Sequence, residues 1–337
     1  VKAGILGVGR MGRRHIQAVR RLDWELSGVY DVSSESLKAA QTENQLTENQ
    51  LFDDLDEFFK RTNLDCLIIA TTADSHCKLT CLAAERGVKF ILVEKPMAVS
   101  LQECDLMIQT CKEYGARLAV NHQMRFMEQY TKPKEVFSTP EFGGLTSMTV
   151  IAGNFGFAMN CSHYFEAFRF LTNENIQEVS AWFSPGVLPN PRGPQFQDRG
   201  GCIRATTYSG KRFYVETGSD QGHGIRVVYA GRNGMLTVDE LNGQMISNIR
   251  ESQYLDLPTS RYAMPSVDTQ SQIQPCEVID TSVSVLKALV QNQDSVSGED
   301  GRCVIEVLVA AHQSAEHGSA PVLLNSELDR ARVFPWA

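Results

Sequence analysis

The sequence predicts an α/β fold in two parts, an N-terminal doubly wound parallel sheet and a C-terminal α+β domain built on an open, mostly antiparallel sheet. Three observations carry this reading. A short aliphatic run from Lys2 to Leu6 ends in glycines at G-x-G-x-x-G spacing, Gly7, Gly9 and Gly12, and a helical pattern begins at once. Strand and helix patterns then alternate as far as Val120. Beyond residue 121 short alternating segments take over, several of them separated by turn signals such as Ser209-Gly210 and Asn233-Gly234. The expected domains are residues 1–121 and 122–337.

The glycine turn suits a phosphate. Gly7 permits the tight strand-to-helix turn, Gly9 removes the Cβ that would block a pyrophosphate, and Gly12 lets helix and strand approach closely. The helix that follows, Met11 to Leu22, offers free N–H groups and a positive dipole end to an anion. It buries Met11, Ile16, Val19 and Leu22 on one face. The second strand, 26–31, ends in Asp31, where a carboxylate can accept hydrogen bonds from ribose hydroxyls.

Ser33 and Ser34 can cap the next helix, 35–41, and a polar link leads to Leu51 and Phe52. Residues 53–61 form a helix with Leu55, Phe58 and Phe59 inward. The strand 65–70 is apolar on both faces, as expected where helices cover a parallel sheet on each side. Thr71-Thr-Ala-Asp-Ser-His76 follows its carboxyl end, where open α/β sheets hold ligands. Helix 75–86, strand 89–93, helix 100–114 and strand 116–120 complete the domain. Right-handed crossovers bring Gly7, Asp31, Thr71, Glu94 and Asn121 to one sheet edge.

In the second part a helix, 125–137, precedes strands at 145–152, 178–183, 203–208, 212–217, 226–230 and 235–238. Helices at 163–171 and 299–316 interrupt and close the series. The segment 184–201 contains four prolines and four glycines without a period, and reads equally as a functional loop or a plain surface excursion.

Composition narrows the partners. With 337 residues, 42% hydrophobic content and a net charge of −8, the chain has room for two cores and no basic run for nucleic acid. No apolar run reaches bilayer-spanning length, and the start shows no signal-peptide pattern. The nine scattered cysteines fit free thiols in a reducing cytoplasm. Cys77 and Cys81 have no second pair to complete a metal site, so none is expected. The expected partner is a small molecule.

The strand ending at Val93 runs into Glu94-Lys95-Pro96. Together with the glycine turn, Asp31, and a late helix opening Gly298-Glu-Asp-Gly301 and closing Ser314-Ala-Glu316-His-Gly318, it resembles the glucose–fructose oxidoreductase, inositol dehydrogenase and MocA-type oxidoreductases over nearly the whole length. The resemblance implies an N-terminal Rossmann domain and hydride transfer between nicotinamide and a hydroxyl or keto carbon of a sugar, nucleotide-linked sugar or polyol. A nucleotide-linked sugar is the favoured substrate and a free polyol or inositol the next. Lys95, commonly before a cis proline in this family, would contact the reacting oxygen. Gly7, Gly9, Arg10, Met11, Gly12, Asp31, Thr71, Thr72, His76, Glu94, Lys95 and Gln123 would hold the cofactor. NAD is expected over NADP, because Asp31 would repel a 2′-phosphate.

The run Gly156-Phe-Ala-Met159-Asn160-Cys-Ser-His163-Tyr-Phe-Glu166 matches the family's acid–base histidine at His163 and its acidic position at Glu166. Met159 stands where an aspartate is usual, so His163 is expected as the acid–base group, with Asn160 one helical turn away on the same face. Arg125, Tyr164 and the 184–201 segment would shape the substrate pocket, although Arg125 serves equally as an ion-pair partner. His76 and His122 have capping or surface roles as alternatives. The rival readings are an NAD-binding sensor without turnover and a redox-cycling lyase or hydrolase. A cytoplasmic homodimer or homotetramer is expected.

Overall fold

The computed structural model describes residues 1–258, 265–274, 276–293, 295–324 and 328–337. In chain order the first eleven elements alternate: β1 (Lys2–Leu6), α1 (Arg10–Arg21), β2 (Glu25–Tyr30), α2 (Ser34–Asn44), β3 (Leu51–Phe52), α3 (Leu55–Arg61), β4 (Cys66–Ile69), α4 (Ala73–Glu85), β5 (Phe90–Val93), α5 (Leu101–Glu113) and β6 (Arg117–Val120). The strands form one parallel sheet in the order β3-β2-β1-β4-β5-β6, the doubly wound arrangement with its reversal between β1 and β4. β4 is buried along its whole length, as a two-sided core strand must be. Ser33 and Ser100 cap α2 and α5 through their hydroxyls, accepting from Ser36 and Glu103 amides. Of the three apolar residues expected inward on α3, only Phe58 is fully covered.

The remaining elements are α6 (Glu128–Phe137), β7 (Leu145–Gly153), α7 (Ser162–Thr172), β8 (Ile176–Phe183), β9 (Gly201–Thr207), β10 (Arg212–Gly218), β11 (Arg226–Gly231), β12 (Gly234–Asp239), β13 (Gln244–Arg250), β14 (Ser266–Gln272), α8 (Val278–Gln291), α9 (Gly298–Glu316) and β15 (Val322–Leu323). Among the described residues nine strands form a mixed sheet, β14-β13-β12-β11-β7-β10-β9-β8-β15, in which only β7 and β10 run parallel. Helices α6 and α7 pack on this sheet, while side chains such as Ile151, Trp182, Met235 and Ile246 are exposed. β14 is polar and exposed along most of its length, which suits an edge strand that must not recruit another chain.

The contacts separate two compact units, residues 1–123 with 277–305 and 330–337, and residues 124–276 with 306–329. The division differs from the contiguous expectation: helix α8 and the C-terminal segment pack with the nucleotide-type sheet. Helix α8 lies against α1, with Arg21 paired to Glu277 at 2.9 Å and to Asp280. It was not expected, because Val278-Ile-Asp-Thr-Ser-Val-Ser-Val is rich in β-branched residues that favour strands locally. Burial of Val285, Leu286 and Leu289 overrides that preference. Strands β13 and β14 were likewise unforeseen.

Candidate functional site

The first unit gathers its candidate residues at the carboxyl ends of the parallel strands. Gly7 has φ +86°, and a Cβ there would lie 2.7 Å from the Ala70 carbonyl oxygen. A Cβ on Gly12 would stand 1.9 Å from the Gly7 oxygen, so the helix can close on the strand only with glycine at this place. Gly9 is different: the space its Cβ would fill is open and the residue is exposed. That opening lies at the start of α1, whose first turn includes Arg10 and Met11 and has no side-chain cap or acidic residue of its own. A phosphate fits there on amide donors and the helix dipole.

Asp31 is fixed beside the turn. Its Oδ2 accepts the Val8 amide at 2.8 Å and its Oδ1 the Ser33 amide at 2.9 Å. A carboxylate has about four lone-pair sites, so two remain for ribose hydroxyls. Thr71 and Thr72 are half-buried after β4, with Thr72 at the N-terminus of α4 and Thr71 Oγ1 accepting the Ser75 hydroxyl at 2.7 Å.

Glu94 ends β5 as a buried carboxylate. His15 Nε2 on α1 lies 2.7 Å from its Oε1, and Asn121 Nδ2, following β6, donates to the same oxygen at 2.8 Å. Burial pushes the Glu94 carboxyl upward, but the His15 hydrogen bond and charge, the Lys95 charge and the Asn121 hydrogen bond outweigh it, and the pKa falls to about 2. Lys95 comes next, half-exposed, and the Lys95–Pro96 peptide is cis. Asn121 Oδ1 and Gln123 Oε1 are buried acceptors with no hydrogen-bond partner among the described residues. A nicotinamide carboxamide, which brings N–H donors, suits such an acceptor. The first unit therefore fits NAD from the phosphate turn to the amide.

His76 corrects an expectation. It is 1% exposed, with Nδ1 3.0 Å from the Pro96 oxygen and Nε2 3.3 Å from the Thr71 oxygen. Burial lowers its pKa, against the raising effect of those two carbonyl groups and Glu94. A neutral ring has one N–H and donates to only one of these two oxygens at a time; it lies buried between the Thr71 turn and the cis proline rather than at an open surface. His122 is also buried.

The second unit carries the other candidates. Residues 157–161 form a π-helical turn, with the Cys161 amide donating to the Gly156 oxygen at 3.1 Å, and α7 follows directly. Asn160 lies in this widened turn and His163 in the first turn of α7, both half-exposed. The regular α-helical spacing expected between them is therefore altered. Tyr164 does not line a pocket as expected: it is 1% exposed and donates its hydroxyl to Glu240 Oε2 at 2.5 Å, while Tyr130 donates to Glu240 Oε1. Burial raises the Glu240 carboxyl despite both hydroxyls. Arg125 is buried, ion-paired with Glu166, and stacked on Phe170 at 5.3 Å. Glu166 also holds Arg169 at 3.1 Å. Of the two roles open for Arg125, the structure shows the ion pair.

Two residues unnoticed in the sequence stand out. His15 looks like a core residue of α1, and Asp198 like one polar residue in an irregular loop. Their partners lie 79 and 40 residues away, beyond any local pattern. Among the described residues, no group of three potential ligands could hold a metal ion, and no helix is long and apolar enough to cross a membrane.

Residues 1–122 match the family described as oxidoreductases with an NAD-binding Rossmann fold. A myo-inositol 2-dehydrogenase of Thermotoga maritima is 22% identical over 94% of this chain and 96% of its own length. A scyllo-inositol 2-dehydrogenase (NAD(+)) of Bacillus subtilis is 29% identical over 73% and 76%, respectively. The fold is also that of a crystallised oxidoreductase from Agrobacterium radiobacter in complex with NAD+, L-tartaric acid and magnesium, with a TM-score of 0.79, 16% identity, and coverage of 96% of this chain and 98% of that one.

The Glu94 network makes stability depend on acid. A carboxyl held at about 2 in the folded chain, against an ordinary 4.5, binds fewer protons than in the unfolded chain between those values. Its stabilising contribution is full above pH 4.5 and is lost as pH falls toward 2. Chemical denaturation at a series of pH values should show the Glu94→Gln chain losing less stability than the wild type across that window. Parallel losses would contradict the assignment.

Proposed function

We propose that the chain, whose residues 1–122 match an oxidoreductase family with an NAD-binding Rossmann fold, is a member of the glucose–fructose oxidoreductase, inositol dehydrogenase and MocA-type oxidoreductases and an NAD-dependent dehydrogenase of a cyclic polyol or sugar. The observation that carries the proposal is Lys95, held next to the buried Glu94–His15–Asn121 network at the sheet edge where the phosphate turn and Asp31 also lie. The inositol dehydrogenases among the relatives favour a free cyclic polyol over the nucleotide-linked sugar expected from the sequence.

NAD, when bound, supplies the carbon that accepts or returns a hydride. Everything else falls to side chains. The Lys95 ammonium donates a hydrogen bond to the reacting oxygen and stabilises the negative charge that grows there. His163 takes the hydroxyl proton as the alcohol is oxidised and returns it in the reverse direction. Asn160, neutral, hydrogen-bonds and orients the substrate hydroxyls but cannot take a proton. Met159 in the usual aspartate position leaves His163 to do the proton exchange. The open outer face of the second unit's sheet, with Trp182 59% exposed, suits the expected homodimer or homotetramer.

Lys95→Met and His163→Ala should each lower kcat by roughly 10² to 10⁴-fold with a panel of cyclic polyols and aldoses, while NAD affinity by calorimetry stays close to wild type. Normal turnover in both variants would contradict these roles. Cofactor choice follows from the Asp31 carboxylate, which two backbone amides fix in place and which repels a 2′-phosphate. Calorimetry should show NAD binding more tightly than NADP, with the gap narrowed in Asp31→Ser. Tighter NADP binding by the wild type would overturn it.

A further inference from the structure

The segment 184–201, irregular in sequence, is tied together and then tied to the helix that carries His163. The Ser184 amide donates to the Gly200 oxygen and the Leu188 amide to the Asp198 oxygen, both at 2.9 Å. Arg199 Nη1 donates to the Gly186 oxygen at 2.5 Å. Where this segment returns toward β9, Asp198 is 6% exposed.

The π-helical turn 157–161 begins a helix, so its first amides have no partner within it. Gly156, at the cap position, has no side chain to offer. The segment satisfies these amides instead: Phe157 N–H donates to the Arg199 oxygen at 3.0 Å, Ala158 N–H to Asp198 Oδ1 at 3.0 Å, and Met159 N–H to Asp198 Oδ2 at 2.8 Å. Asp198 Oδ1 also accepts the Arg199 amide at 2.8 Å. A carboxylate bonded to helix-start amides gains both from charge-assisted hydrogen bonds and from the helix dipole. The fit is tight: a Cβ on Gly156 would lie 2.1 Å from Asp198 Oδ2.

We propose that Asp198 is a positioning residue for the reaction: by capping the 157–161 turn from a distant segment, it sets the backbone from which Asn160 and His163 address the substrate. The inference rests on the proposed roles of those two side chains. It also gives the 184–201 segment a function, since any change in its path moves the cap and so the aim of His163. The carboxylate usual at position 159 is absent from that side chain, while the backbone amide of the same residue is held by a carboxylate brought from residue 198.

Two variants disturb this contact from opposite sides. Asp198→Asn keeps the shape but turns one acceptor into a donor facing an amide, and Gly156→Ala drives a methyl into the carboxylate without altering any polar group. In both, amide hydrogen exchange at Ala158 and Met159 should accelerate, and kcat per NADH-binding site should fall by roughly 10- to 100-fold with the KM for NAD unchanged. A residue that only supported the fold would lower the melting temperature and the fraction of binding-competent protein but leave kcat per site as it was. Unchanged exchange in Asp198→Asn, or faster exchange with kcat per site unaltered, would overturn the inference. A wild-type chain that never reduces NAD would instead sink the proposed dehydrogenase activity, and the exchange measurement would still decide whether Asp198 holds the turn.

Discussion

The buried carboxylate of Glu94 is the contact on which the candidate site of the first unit depends. Taking an ion out of water costs on the order of several kcal/mol, so a carboxylate persists there only if hydrogen bonds and opposite charge offset that cost. His15 supplies one bond from α1, three residues beyond Gly12, and Asn121 supplies another from the end of β6. The carboxylate thereby joins three elements at one sheet edge. The same side chain sits immediately before Lys95, so the backbone that carries the ammonium proposed to act on the substrate is fastened by its neighbour. The glycine turn belongs to the same construction, because α1 can bring His15 to Glu94 only if Gly12 meets the Gly7 carbonyl without a Cβ between them.

The second unit follows the same physical logic with different residues. Glu166 is buried between Arg125 and Arg169, Glu240 is half-buried against two tyrosine hydroxyls, and Asp198 is buried against backbone amides. Each carboxylate joins segments far apart in the chain. All three bear on α7: Glu166 lies on the helix, Glu240 grips Tyr164, and Asp198 caps the turn leading into it. Between these anchors stands His163. The proton exchange proposed for this side chain would gain from a rigid support of this kind, since small displacements of a general base weaken proton transfer strongly.

What could be read in the sequence was local. Glycines at fixed spacing, the acid closing the second strand, and Glu94-Lys95-Pro96 after the fifth all follow from what one turn or one strand needs, and the six-stranded sheet carries them where expected. Strands β7 to β12 were legible through alternation and turn residues. Helix α8 was not, because its β-branched residues argue for a strand until the α1 surface is there to cover them. Periodicity identifies the face on which Tyr164 or His76 lies, but not that Glu240 accepts the Tyr164 hydroxyl, or that the His76 ring is buried between the Thr71 and Pro96 carbonyl oxygens. His15 and Asp198 were hidden for the complementary reason: the groups that give them meaning come from distant parts of the chain.

In the proposed reaction a hydride passes from a substrate C–H bond to NAD, with Lys95 and His163 handling the oxygen and its proton. A single turnover with NAD and a cyclic polyol deuterated at its carbinol carbons, followed by mass spectrometry of the nicotinamide and the product, tests this directly. One deuterium in the reduced nicotinamide and a ketone as product are expected. Deuterium retained in a product that has lost a leaving group, with the nicotinamide again oxidised, would show redox cycling and contradict the account, as would NAD that binds tightly but never acquires the label.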